Sequence, residues 1–288
     1  MSSAAHPASL GLAADGLPPQ FVDLATARPD ARGPWWWRTA VVAEVLLVLG
    51  AWEVASGGGV IPANFLPPPS EIGASIVELF GLPNFWSNLQ YTLTNLGVGL
   101  VIASTVGIGI GLAVGWSRVL EATVAPLLWI LYVTPKVALA PLIILWLGIG
   151  SPSQIALVFL LAVYPLMLNT IDGVKTIDVS LVRAGRVFGA SGFSLFAKVI
   201  LPATLPFVLV GLRRGVALGF IGAILGEFLG GSVGIGKTLQ LAVFNFRLAD
   251  ALAIVVIMVL VTNVALKGID LARHRLASWH TEGPASGR

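Results

Sequence analysis

The chain has 288 residues, 56% of them hydrophobic and only 11% charged, against roughly 25% charged in an ordinary soluble domain. Together with a mean hydropathy of +0.90, 33 Gly and 18 Pro, this excludes a soluble globular domain and predicts a polytopic membrane protein, where Gly and Pro are tolerated inside helices. The net charge is +3, no cysteine is present, and the three histidines (His6, His274, His280) lie in the terminal segments. Disulfides, thiolate metal sites, Cys nucleophiles and a His-based centre in the apolar body are thereby excluded.

Residues 1–38 are rich in Ala, Pro, Gly and Ser without apolar periodicity and read as a disordered tail ending at Trp35-Trp36-Trp37-Arg38, an interfacial anchor. The apolar run that follows is expected to remain attached as a signal anchor rather than be cleaved. A spanning helix needs about 20 apolar residues, and six stretches qualify: Thr39–Ala55, Tyr91–Gly115, Thr123–Leu147, Ile155–Thr170, Phe207–Leu229 and Ala251–Leu271. Pro126, Pro135 and Pro141 are expected to bend the third, and Tyr164-Pro165 to bend the fourth or end its regular part. Fourteen of the 17 Lys and Arg residues fall on one side of this topology, Arg213 and Arg214 among them, while the other side receives Lys237 and Arg247 and Lys136 lies in the third span. By the positive-inside rule the basic side is cytoplasmic, and both termini with it. The same asymmetry accounts for the basic charge without nucleic acid.

In the second span, Gly99, Ala103, Gly107, Gly111 and Gly115 form an unbroken i, i+4 series of small residues. Such a stripe lets another helix approach closely, and packing against a partner or symmetry mate is expected of it. Between the last two spans, Gly231 to Thr238 fits G-x-x-x-x-G-K-[ST], with Gly231, Gly236, Lys237 and Thr238 in the consensus positions. A phosphate-binding loop needs a buried strand before it and a helix after it. Here a membrane span precedes the loop and the topology places it outside the cell, so it is read as a decoy in an external turn. No cofactor, metal-ligand set or catalytic residue is predicted.

The long inner loop between the fourth and fifth spans carries Leu181, Ala184, Gly185 and Phe188 at i, i+3, i+4 and i+7, with Arg183 and Arg186 turned aside. That pattern is a short amphipathic helix, ended or closely approached at Gly189. A helix this basic suits anionic lipid, but its small residues suit a protein cleft. Arg183-Ala184-Gly185, then Gly189, Val199 and Leu201-Pro202, meet the spacing of the EAA loop at every step, with Arg183 standing where the pattern has Glu.

On these residues the chain resembles the inner-membrane permease subunits of bacterial ATP-binding-cassette importers of the type I fold. Phe65 to Ser70 (FLPPPS), Pro135 to Gly150, Gly173-Val-Lys175-Thr, Gly189-Ala-Ser191, Leu201 to Pro206, Gly211-Leu-Arg213 and Gly226-Glu227 further resemble the nitrate, sulfonate, taurine and bicarbonate branch. The resemblance implies an all-α membrane protein of six transmembrane helices with a cytoplasmic coupling helix. Its domains would be a tail (1–38), a first helix and external loop (39–87), the permease domain (88–275) and a C-terminal tail (276–288). It implies location in the bacterial inner membrane, no catalytic group of its own, and four kinds of partner: two cytoplasmic ATPase subunits, a second permease copy, an extracytoplasmic solute-binding protein, and the bilayer. Arg183, Ala184, Gly185, Arg186, Phe188, Gly189, Leu201 and Pro202 would form the ATPase-coupling loop. Lys136 and Glu227, charged groups inside spans, are candidates for the translocation pathway. The implied solute is an aliphatic sulfonate, taurine, nitrate or bicarbonate, with a thiamine-precursor pyrimidine as the alternative. A self-sufficient channel or ion-coupled carrier is the alternative of a different class.

Overall fold

The structure, a computed structural model, describes residues 35–59, 61–62 and 65–276. The two expected tails lie almost wholly outside these residues. The chain divides into two units, residues 1–60 and 61–288. The described part of the first is one helix, α1 (Trp35–Gly57), of which Thr39–Gly57 is long and apolar enough to cross a membrane.

The second unit is all helix among its described elements: α2 (Pro69–Gly81), α3 (Pro83–Trp116), α4 (Arg118–Val133), a 3-10 turn (Lys136–Leu139), α5 (Ala140–Leu147), α6 (Ser151–Lys175), α7 (Val179–Val187), α8 (Gly192–Leu195), a π turn (Phe196–Ile200), α9 (Leu201–Gly230), α10 (Ile235–Phe244) and α11 (Leu248–Leu276). Among the described residues five helices have the length and apolarity of a span, and the pair α4/α5 makes a sixth if counted as one broken span. The break is an 82° bend between Arg118–Val133 and Lys136–Leu147. It falls at Thr134-Pro135, and Pro141 sits harmlessly in the first turn of α5. Pro135 lacks the N–H that would continue α4. The expected single bent span is therefore two pieces with an irregular corner.

The fourth span corrects the expectation in the other direction. It runs unbroken through Pro165 for 25 residues, with Asn169 Nδ2 donating to the Pro165 carbonyl at 2.7 Å. Leu201-Pro202 begins α9, and the Leu201 N–H reaches back five residues to the Phe196 carbonyl. Pro202 cannot donate to the Lys198 carbonyl, so the chain widens into a π turn there. The FLPPPS stretch is also a helix start: Pro69 opens α2, whose Ile72, Ser75 and Leu79 are buried. This amphipathic helix, packed on α11 and α3, lies in what the sequence presented as an external loop.

α6 is the centre of the unit. Two thirds of its most apolar stretch is buried (67%), against 22–39% for α3, α9 and α11. α3 covers one side of it and α9 the other. On the α3 side the small-residue stripe is the contact surface: a Cβ on Gly99 would stand 2.6 Å from Val158 Cβ, on Gly107 2.9 Å from the Val163 carbonyl, on Gly111 2.6 Å from Thr170 Cβ and on Gly115 2.7 Å from Val174 Cβ, while Ala103 is fully buried. The stripe's partner is thus a helix of the same chain, and no symmetry mate is needed to account for it. A second stripe, on α9, was not singled out in the sequence. A Cβ on Gly222 would stand 2.8 Å from the Leu157 carbonyl, and those on Gly211, Gly215 and Gly226 3.1–3.2 Å from residues of α6. Lipid supplies no hydrophobic drive between helices, so backbone proximity and dispersion hold this sandwich together.

The geometry separates glycines that touch from those that do not. Gly111→Ala should lower the melting temperature of the detergent-solubilised protein by several degrees, since overpacking a tight contact costs about 1–3 kcal/mol. Gly109→Ala, with nothing within 4 Å of its would-be Cβ, should leave it unchanged or raised.

Candidate functional site

Three places in the second unit bring functional side chains together. The first is the loop between α6 and α9. Asp178 caps α7: its Oδ1 accepts the Ser180 N–H at 2.7 Å. That backbone hydrogen bond, followed by the Ser180 side chain, holds its carboxyl below the usual aspartate range. The far end closes with Gly189 N–H on the Arg186 carbonyl and Ala190 N–H on the Gly185 carbonyl. Gly189 takes φ +83°, the left-handed conformation this stop requires. Gly185 rests on Leu195 Cδ1 and Val199 Cγ2, where an added Cβ would stand at 3.0 and 3.1 Å. Two positions of the EAA-like spacing therefore touch each other, and α7 is pinned to the start of α9. What it presents outward is apolar: Phe188 is 89% exposed, Val187 84% and, just beyond, Phe193 82%. Leu181, Arg183, Ala184 and Arg186 are exposed with them.

The second place is the Gly231–Thr238 loop. Glu227, fully buried, turns its carboxylate into the N-terminus of α10. Its Oε2 accepts the Gly236 N–H at 2.7 Å and the Thr92 hydroxyl at 2.9 Å. Thr92 Oγ1 accepts the Ile235 N–H at 3.0 Å, and Asn88 Oδ1 the Gly234 N–H at 3.2 Å. The amides of Gly234, Ile235 and Gly236 are thus each taken by a side chain of α3 or α9. The glycines are there for Glu227 itself: a Cβ on Gly234 (φ +115°) would stand 2.3 Å from its Cδ, and one on Gly236 2.7 Å from its Cβ. Lys237 Nζ donates to Gln240 instead of facing the loop. The carboxyl group sits at a helix N-terminus, its Oε1 buried with no hydrogen-bond partner among the described residues. Glu227, a pathway candidate by sequence, has no exposed surface in this structure.

The third place is a cleft of about 530 Å³ between α4, α6 and α9, walled by Tyr132, Tyr164, Glu121, Asp172, Lys175 and Arg214 among others. The rings of Tyr132 and Tyr164 stack at 5.7 Å, and Lys136 Nζ stands 4.6 Å above the Tyr164 ring. Lys136 opens the 3-10 turn at the corner of the broken span. It makes no ion pair with Glu227 or with any other described residue. Lys175 pairs with Glu121 at 2.6 Å.

Comparison with known proteins decides the family. Residues 103–277 match the family described as binding-protein-dependent transport system inner membrane component. The chain belongs to that family. It is 28% identical, over 93% of its own length and 96% of the relative, to the Bacillus subtilis (strain 168) permease protein SsuC, named for aliphatic sulfonates transport. It is 29% identical, over 85% and 94%, to the taurine transport system permease protein TauC of Escherichia coli (strain K12). It is 31% identical, over 81% and 93%, to the formylaminopyrimidine transport permease protein ThiX of Halalkalibacterium halodurans. The chain is accordingly a multi-pass transport permease of the ABC importer kind, all-α in fold.

Some of the permease's hydrogen-bonding polar residues are not singled out by the sequence. Asn88, Thr92 and Asn95 recur at i, i+4 and i+7 near the start of α3, a polar face on an apolar helix, and this spacing was a signal. Asn95 Nδ2 donates to Gln154 Oε1 at 2.5 Å, deep in the α3/α6 contact. Arg213 and Arg214 had been counted with the inner charges, yet both lie within the continuous helix Leu201–Gly230. For the clamp, Glu227→Ala should destabilise the permease by about 1–3 kcal/mol through the unpaired Gly236 N–H, seen as a lower melting temperature. Lys237→Ala should leave both stability and uptake unchanged.

Proposed function

We propose that this permease forms the membrane pathway of an ATP-driven importer, receiving its solute from an extracytoplasmic binding protein, with α7 as the coupling helix docked in a groove of a cytoplasmic ATPase. The observation that carries the reading is the exposed pair Val187 and Phe188 at the end of a capped helix that lies outside every spanning segment, with exposed Phe193 just beyond it. Apolar side chains so far exposed, next to Arg183 and Arg186, suit a protein partner better than water. The coupling loop comprises Arg183, Ala184, Gly185, Arg186, Phe188 and Gly189, with Leu201-Pro202 transmitting to α9. Two permeases, two ATPases and cytoplasmic termini complete the assembly. The crowding of Lys and Arg around α7 supports that orientation. The permease domain spans residues 88–275, with the first helix and its loop (39–87) accessory to it. ATP binding at the ATPase dimer draws the two coupling helices together and turns the pathway outward, and hydrolysis on that partner subunit resets it, a bistable bundle biased by nucleotide.

For the solute we propose a small oxyanion of the aliphatic sulfonate kind, in line with the names of two relatives. The pyrimidine carried in the third relative's name remains the second reading, supported by its 31% identity. Lys136 is the pathway residue retained from the sequence.

The test is mild-detergent purification of the tagged permease from its native membrane, with mass spectrometry and an ATPase assay. A soluble ATPase should co-elute. Phe188→Asp should abolish that co-elution without affecting membrane insertion; elution alone, with flux in liposomes that needs no ATP, would establish a carrier instead. Asp178→Ala should weaken co-elution too, while Asp178→Asn retains it. Because the Asp178 carboxyl is lowered in the folded protein, its capping contribution is complete above the ordinary aspartate range and is lost as pH falls through the lowered value. Hydrogen exchange at the amides of 180–187 should accelerate only in that acid window.

A further inference from the structure

The cleft between α4, α6 and α9 holds a charge imbalance that the fold itself does not use. Arg213 and Arg214 are neighbours on α9, yet they are treated differently. Arg213 pairs with Asp270 of α11 at 3.6 Å, whereas Arg214 turns into the cleft and meets only the neutral Asn169 Oδ1, at 3.5 Å. The ammonium of Lys136, itself outside the lining, lies on the face of Tyr164, which lines the cleft. Among the described residues neither cation has a carboxylate within ion-pair distance. Lys175 and Glu121 neutralise each other, and the one acidic group left on the wall, Asp172, is exposed. The lining charges alone balance, Lys175 and Arg214 against Glu121 and Asp172, and Lys136 beside Tyr164 adds one positive charge in excess, in helices that cross the bilayer. Charged groups in such places are retained for a ligand, an ion or each other. The stacked rings of Tyr132 and Tyr164, 5.7 Å apart, give the same wall an apolar face.

Resting on the importer reading, we propose that this cleft is an anion station within the permease itself, binding the sulfonate or carboxylate head of a small monoanion by Lys136 and Arg214 and its short apolar body against Tyr132 and Tyr164. Selection against cations and neutral solutes then occurs in the membrane subunit as well as in the binding protein. Its volume, about 530 Å³, falls in the range of small-molecule sites.

The absence of cysteine permits a direct test on the assembled complex. Ala125 lines the cleft, and Ala125→Cys is a small change. In nanodiscs holding the permease with its ATPase, the rates of modification by an anionic reagent (methanethiosulfonate ethylsulfonate) and a cationic one (methanethiosulfonate ethyltrimethylammonium) are each divided by the rate on a free thiol. The anionic reagent should be favoured roughly tenfold, and less so at high salt. Lys136→Met and Arg214→Gln should each reduce the preference several-fold, while Arg213→Gln leaves it intact. Leu168→Cys, on the same wall, provides the same readout if Ala125→Cys perturbs folding. A preference within twofold of the free thiol, no modification at either position, or an equal loss with Arg213→Gln would overturn the proposal. ATP-driven uptake in the same particles is scored separately: charge selection without ATP dependence removes the importer reading and keeps the station, and the converse removes the station alone.

Discussion

The contact on which the rest depends is backbone against backbone: α6 held between the glycine faces of α3 and α9. In water such a contact would be one of many apolar options, since burial of any hydrophobic side chain is favourable. In a bilayer Leu gains little by leaving lipid for protein, so the interface is decided by how closely two helices approach. Gly99, Gly107 and Gly111 on one side and Gly222 on the other have no room for a methyl group. The consequence is a dry, tightly registered slab of three helices, and the functional features lie at its ends and along its open edge.

At one end, Glu227 converts a potential liability into a fastening. A carboxylate without exposure is expensive unless hydrogen-bonded. Here Oε2 receives a backbone amide and a hydroxyl at the mouth of a helix, while Oε1 is buried without a hydrogen-bond partner among the described residues, and α3, α9 and α10 are joined at a single group. The Gly-rich segment that resembles a phosphate loop follows from the same physics as a true one, since both arrange amides around an anion. The difference is that here the group the amides meet is a carboxyl of the chain itself.

Much of this was legible in the residues. Apolar length gave the spans, the i, i+4 glycines gave a close helix contact, and the amphipathic spacing of Leu181, Ala184, Gly185 and Phe188 gave the helix at 179–187 with its stop at Gly189. What was not legible depends on three dimensions. The stripe Gly99 to Gly115 contains no mark of whether its partner is in the same chain or another. Pro165 and Pro135 look alike in one dimension, but Pro165 is enclosed by packed neighbours that keep α6 straight, whereas the chain around Pro135 is exposed and turns through 82°. Arg213 and Arg214 differ only in the side of α9 on which each emerges, and a one-residue step of 100° in a helix decides which one is paired.

The same slab constrains how force is passed along the permease. From Gly192 to Gly230 the chain is one helical piece of 39 residues, about 58 Å long at 1.5 Å per residue. α7 is seated on its first turns through Gly185 against Leu195 and Val199, and the Glu227 clamp is its last turn. No flexible linker intervenes between the surface proposed for the ATPase and the loop at the opposite end. With α6 locked against it, α9 moves with α6 and α3 or not at all, because tightly packed interfaces shift between discrete arrangements rather than deform smoothly. The compliant element is then the broken span, whose corner at Thr134-Pro135 lies outside the slab and carries Lys136. Rigid-body displacement of the slab against that corner changes the distance between Lys136 and Arg214, since one rides on the corner and the other on α9. The cleft between them is where such a displacement alters the affinity for an anion.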